Sequence, residues 1–236
     1  MKKTFILFIA GILCLSSCKK ESLSVPESKS ACSVQTSNPS GRSYSADSVI
    51  SYPCTGSFCG LMPMNSNNFW IYEDSLFTDG VFKQVQYDTL RFTGTYRSLN
   101  DGLVWWESNI SVGLPEKMYA SDSALFSMED RMFMEGIKDV KKEYGLFAGD
   151  SLRYLTAFED AAAIGRSLKM TGTLSTPAGD FSHYLFIEKN ARNFRKDQVC
   201  FMPGVGVIKY RQEKAVMGSP VVKLQKVSTL VKYYIE

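Results

Sequence analysis

Histidine is almost missing from this 236-residue chain, and His183 is its only one. With a single imidazole and no Cys-x-x-Cys pair, the ligand spacing of a zinc site is absent, so no metal is expected. A serine-histidine-acid constellation would have to run through His183, with Asp180 nearby, yet no Gly-x-Ser-x-Gly elbow supplies the nucleophile. Gly204-Val205-Gly206 followed by Lys209 lacks the rest of a phosphate-binding loop. Lysine and arginine are interspersed with acids rather than clustered, which excludes an electrostatic surface for nucleic acid. The acidic pairs Glu73-Asp74, Glu129-Asp130 and Glu159-Asp160 are adjacent in sequence, so on a strand their side chains diverge and cannot flank one glycosidic bond. No catalytic constellation is left, and the chain is expected to be non-enzymatic and to use no cofactor.

What is present begins at the N-terminus. Lys2-Lys3, the apolar run Phe5 to Leu13 and Leu15-Ser16-Ser17-Cys18 form a lipoprotein signal peptide over residues 1–17. The apolar run of about ten residues is too short for a spanning helix, which needs roughly 20. The lipobox pattern implies cleavage before Cys18, a diacylglyceryl thioether on its sulfur and an acylated amino terminus. Burial of each lipid methylene contributes about 0.8 kcal/mol, and two or more chains hold stably, so the first expected partner is a membrane, reached through this lipid. The expected location is the bacterial outer membrane, on its periplasmic or its cell-surface side. Loss of Lys2 and Lys3 leaves 25 basic against 24 acidic residues, a nearly neutral mature chain.

Six cysteines reduce to four once Cys14 leaves with the signal and Cys18 takes the lipid. Cys32, Cys54, Cys59 and Cys200 sit in an exported chain that can keep disulfides. Four cysteines allow three connectivities; a Cys54–Cys59 bridge over a four-residue loop is favoured, with Cys32 and Cys200 as the second bridge and free buried thiols as the alternative.

From Lys19 to Cys59, twelve of 41 residues are serine, with prolines and glycines among few large apolar groups. Such a stretch cannot bury enough surface to offset chain entropy, so residues 18–59 read as a lipidated tether and residues 60–236 as one β domain. Phe69-Trp70-Ile71-Tyr72, Phe82 to Tyr96 and Leu103 to Ile110 are rich in aromatic and β-branched residues. The fold class expected is all-β: a single curved antiparallel sheet or open barrel with little helix, its long second strand bent at Gly94. Between 118 and 146, two short strands around Glu129-Asp130 are favoured over a helix, and Ala161-Ala162-Ala163-Ile164 is expected to form one helical turn. Thr176-Pro177-Ala178-Gly179 is a turn with a mechanism, because Pro177 presets φ and Gly179 tolerates a positive value. On the strand that follows, Phe181, His183, Leu185 and Ile187 share one face, expected to be the core face with His183 hydrogen-bonded inside it. Pro203-Gly204-Val205-Gly206 marks a bulge or close backbone approach before the strand from Val207. In Trp105-Trp106 one ring points inward and the other outward.

These motifs resemble those of uncharacterised envelope lipoproteins of Bacteroidota. Met62-Pro63-Met64 with Asn68-Phe69-Trp70-Ile71-Tyr72 is similar to the group's opening motif, although Asn67-Asn68 stand where a glycine is usual. Ala148-Gly149-Asp150-Ser151-Leu152 resembles its central turn, and Thr176 to Phe181 and Pro203 to Lys209 resemble its TPAGxF and PGVGxxK turns. The likeness covers about residues 60–236. It implies a curved β-sheet similar to periplasmic lipoprotein carriers that hold acyl chains in an apolar cup, and it implies no catalytic residue. Lys19-Lys20-Glu21 partly resembles the signals that send such proteins to the cell surface.

Two functions are therefore set against each other. One is a membrane-anchored exported lipoprotein that binds an apolar ligand, a lipid or an envelope protein partner through the concave face of its sheet. The other is a surface carbohydrate-binding lipoprotein that stacks sugars on Trp105 or Trp106.

Overall fold

The computed structural model describes residues 61–97, 104–120, 124–128, 142–147, 151–158, 161–216 and 221–236. The signal, Cys18, the tether with Cys32, Cys54 and Cys59, Glu129-Asp130 and the Ala148-Gly149-Asp150 turn lie outside these residues.

The first hairpin shows how sequence becomes sheet. In β1 (Phe69–Thr78) Trp70, Tyr72 and Asp74 are buried while their neighbours are only half-buried, the two-residue period of a strand with one covered face. Asp79 and Gly80 then take φ of 54° and 84°, the paired positive values of a tight type I′ turn, and β2 (Val81–Arg97) returns antiparallel. The ladder from β2 to β3 (Val104–Ser108) slips between Phe92 and Gly94, which places the bend where the glycine allows it. β4 (Lys117–Ala120), β5 (Ala124–Met128) and β6 (Lys142–Phe147) continue the meander.

The second half runs β7 (Ser151–Phe158), β8 (Ala161–Lys169), β9 (Thr173–Thr176), β10 (Gly179–Ser182), β11 (Leu185–Ala191), β12 (Arg195–Met202), β13 (Gly206–Lys214) and β14 (Lys223–Tyr234). Twelve strands form one sheet in the order β6-β5-β4-β3-β2-β1-β14-β13-β12-β11-β8-β7, with β9 and β10 apart as a small hairpin. Every pairing is antiparallel, and the last strand returns to pair with the first. The edges of the sheet are β6 and β7, which follow each other in the chain; among the described residues no ladder joins them. The fold is thus all-β, one large unclosed antiparallel sheet, with no helix among the described residues.

Three local expectations are corrected. Ala161 to Ile164 open strand β8 and pair with β7, so the small side chains serve a ladder and form no helical turn. The segment after Gly179 is not one strand: β10 pairs only with β9, whereas β11 pairs with β8 and β12. The break falls at His183, whose φ of 61° turns it out of the alternation and leaves it exposed, while Phe181, Leu185 and Ile187 stay buried.

The inner face is covered by the chain itself. Leu61-Met62-Pro63-Met64 enters the core before β1, the loop after β3 adds Val112 and Leu114, and the β9–β10 hairpin adds Phe181. Buried Asn68 locks this arrangement, since its Nδ2 donates to the Pro63 carbonyl (2.9 Å) and its Oδ1 accepts from the Glu236 amide (2.9 Å).

Candidate functional site

Apart from Trp105-Trp106, three regions could carry function: the apolar inner face, a polar row beside it, and the rim of turns at one end of the sheet.

On the inner face, Trp70, Tyr72, Leu90, Phe201, Val207 and Leu230 are all sealed from solvent. Tyr72 donates from its hydroxyl to the Val207 carbonyl (2.9 Å), and its ionisation is pushed well above the usual tyrosine range by burial and then by Asp74. The glycine turn at 203–206 packs into this face: Gly204 N donates to the Leu61 carbonyl (3.0 Å), and a Cβ on Gly206 would lie 3.2 Å from Met62. Gly204 and Gly206 hold φ of 77° and 115°, which few other residues adopt. Gly179 likewise has φ of 132° in the β9–β10 turn, beside exposed Pro177.

Toward the other end, the same face turns polar. Arg195 donates from Nε and Nη2 to the two carboxylate oxygens of buried Asp197 (3.0 and 2.7 Å), Tyr210 donates to Asp197 Oδ2 (3.1 Å), and Gln212 donates to the Tyr210 hydroxyl (2.6 Å). Burial lowers the Arg195 value, but its bonds to Asp197 more than offset this and raise it; burial and then Asp197 raise Tyr210. One strand further on, Lys226 bridges to fully buried Asp74 (2.5 Å) and lies 3.8 Å from Asp88. Burial raises the Asp74 carboxyl above its usual value, whereas the interaction with Asp74 lowers Asp88, so the two carboxyls titrate as a linked pair. Each charge here is answered by a neighbour within the sheet, which suits a structural network better than an acid-base pair.

The rim is different because its side chains face outward. The β1–β2 turn carries Val81 and Phe82, exposed by 61% and 54%; the β11–β12 turn carries Phe194 at 48%; and the approach to β14 carries Val221 at 63%. Register brings these turns to one level: Arg195 pairs with Lys214, Lys214 pairs with Lys223, and the Cβ direction of Gly80 ends 3.9 Å from the Lys223 Cβ. The Ala215 amide also donates to the Phe194 carbonyl (2.7 Å). Lys83, Arg192, Lys214 and Lys223 stand around the apolar groups, and among the described residues none of the four forms an ion pair. Among the described residues, Asp79 and Glu213 are the acids at this level, and Glu213 is bonded to Arg211 (2.8 Å).

The residues singled out from sequence fall elsewhere. Trp105 is fully buried, on the face of β3 opposite the main core, against Tyr119 and through it Phe126. Trp106 is half-buried and packs edge-on against Phe92. Fully buried Trp105 presents no face for stacking, and Trp106 is partly covered. Among the described residues Cys200 carries a free, half-buried thiol, and Cys32, its expected partner, lies outside them; burial pushes this thiol up to about 11. The rim has one signal legible in the sequence, the Asp79-Gly80 pair between alternating hydrophobics, and the reading from sequence does not include it.

No protein-family profile matches the chain, and no curated protein sequence does. Two solved structures are similar in part. One is a candidate lipoprotein of Parabacteroides distasonis, with 12% identity over 75% of this chain and 100% of that one and a TM-score of 0.36. The other is an exported-protein candidate of Bacteroides fragilis with a YmcC-like fold, with 15% identity over 74% of this chain and 99% of that one and a TM-score of 0.34.

Proposed function

We propose that this chain is an exported bacterial lipoprotein, held at the outer membrane by acylated Cys18, whose β domain is a non-enzymatic binding module that makes its contacts through the rim. The Leu15-Ser16-Ser17-Cys18 lipobox supports the anchor. The observation that carries the binding site is the gathering of exposed Val81, Phe82, Phe194 and Val221 on one end of the sheet. Scattered exposed apolar residues are ordinary, but several gathered at the turns of one end of a sheet suit an interaction surface. An apolar ligand in the cup is less well supported, since Leu61, Met62, Val112 and Phe181 already fill that face.

Two measurements test this. Palmitate fed to cells labels the wild-type protein, and Cys18→Ala loses both the label and the membrane fraction. A photo-crosslinking residue at position 82 gives adducts in intact cells, whereas one at position 234, exposed at the opposite end of the sheet, gives none. Equal adduct formation at both positions contradicts the rim as the site.

A further inference from the structure

We infer that the partner of the rim is an anionic bilayer surface. Val81, Phe82, Phe194 and Val221 seat among the headgroups, while Lys83, Arg192, Lys214 and Lys223 hold the phosphates. This rests on the proposed reading of the rim as the contact surface, and it names the occupant.

The shape of the rim argues first. Its apolar side chains stand exposed at the turns of one end of the sheet, a form suited to a yielding interface. Its charge argues second: among the described residues, four cations that form no ion pair stand at this end with Asp79 and with Glu213, which is bonded to Arg211, and basic residues near exposed apolar groups are the pattern that lipid headgroups attract. The turns are stiff, Asp79-Gly80 by its paired positive φ and 192–194 by the Phe194 to Ala191 amide-carbonyl bond (3.0 Å), so little ordering is needed on contact.

The anchor supplies the third argument. The chain enters the domain at Leu61, whose carbonyl meets Gly204 in the β12–β13 turn, at the end of the sheet opposite the rim. The ten residues of β1 separate the ends by about 33 Å at roughly 3.3 Å per residue. The 43 residues from Cys18 to Gly60 span up to about 140 Å when extended, ample to let the rim reach the leaflet that holds the lipid. An anchored domain meets that leaflet at high effective concentration, so a weak surface contact is enough to orient it.

The test uses the full lipoprotein carrying Phe82→Trp, reconstituted in vesicles of phosphatidylethanolamine and phosphatidylglycerol with brominated acyl chains. The added emission, taken as the difference from the unsubstituted protein, is expected to be blue-shifted and quenched several-fold relative to non-brominated vesicles. High salt, or vesicles of phosphatidylcholine alone, is expected to relieve most of that quenching, and Phe194→Trp should behave alike. A red, unquenched difference spectrum from both variants in the anionic vesicles overturns the inference. Protein adducts at position 82 in cells, together with absent quenching, would overturn the lipid partner and leave the contact surface standing. No adduct of either kind and no quenching would remove both.

Discussion

The indole nitrogen of Trp70 donates a 2.7 Å hydrogen bond to the backbone carbonyl of Val205, fastening β1 to the turn between β12 and β13 across 135 positions. Trp70 is fully buried and packs edge-on against Phe92, so this bond sits where the plug from Leu61 meets the sheet. Trp70→Phe keeps an aromatic ring but strands the Val205 carbonyl and leaves a void; it should cost about 2–4 kcal/mol by urea denaturation followed by circular dichroism. A cost below about 0.5 kcal/mol, the range of surface substitutions, would show that the contact does not hold the ends together.

Gly113 offers a sharper contrast. It has φ of 82°, and an added Cβ would stand 2.6 Å from the Val199 side chain and 2.7 Å from the Tyr210 ring. Gly113→Ala should therefore destabilise by more than about 2 kcal/mol, through strain and overpacking together. At Gly172 an added Cβ meets nothing within 4 Å, and Gly172→Ala should change stability by less than about 0.5 kcal/mol. Similar effects at the two glycines would contradict the packing of the loop after β3 onto β12 and β13.

The Asp74–Asp88 pair sets a pH dependence. Burial raises Asp74, so between its ordinary value and its raised one the folded chain keeps a proton that the unfolded chain has lost, and stability falls as pH rises through that window. Asp88 is lowered, first by its bond from Asp74, so its contribution is present above the ordinary value and is lost as pH falls through the lowered one. Asp74→Asn should remove the decline on the alkaline side of the carboxylate range, read from denaturation midpoints across that range. An unchanged decline would place its origin in other groups.

Cys200 should be inert while the domain is folded. Burial holds its thiol up at about 11, above the ordinary cysteine value, with Lys209 offsetting only part of this. At pH near 8 little thiolate forms, and a disulfide reagent should label position 200 far faster after denaturation than before. Rapid labelling of native protein would mean that this thiol is open and activated.

The fold class was legible because aromatic and β-branched runs recur between turn residues, and an antiparallel meander needs little more than that local pattern. The Gly94 bend was legible too, since a glycine inside an alternating strand marks such a site. Residues that depend on distant neighbours were not. His183 fits the alternation of Phe181, Leu185 and Ile187 in sequence, and only the separate pairing of β10 and β11 turns it outward. Trp105 lies on the outer face of its strand, yet Tyr119 of β4 and the covering around it remove it from solvent. The rim joins positions 81, 194 and 221, which no spacing rule connects; the registers Arg195–Lys214 and Lys214–Lys223 bring them together.

Hydrogen exchange of the lipoprotein in native envelope vesicles, compared with the same protein in detergent, tests the rim most directly. Slower exchange in the envelope is predicted at the amides of the β1–β2 and β11–β12 turns, residues 79–82 and 192–194, with no change at the β12–β13 turn, residues 203–206. Protection confined to residues 203–206, with the rim turns unaltered, would contradict it.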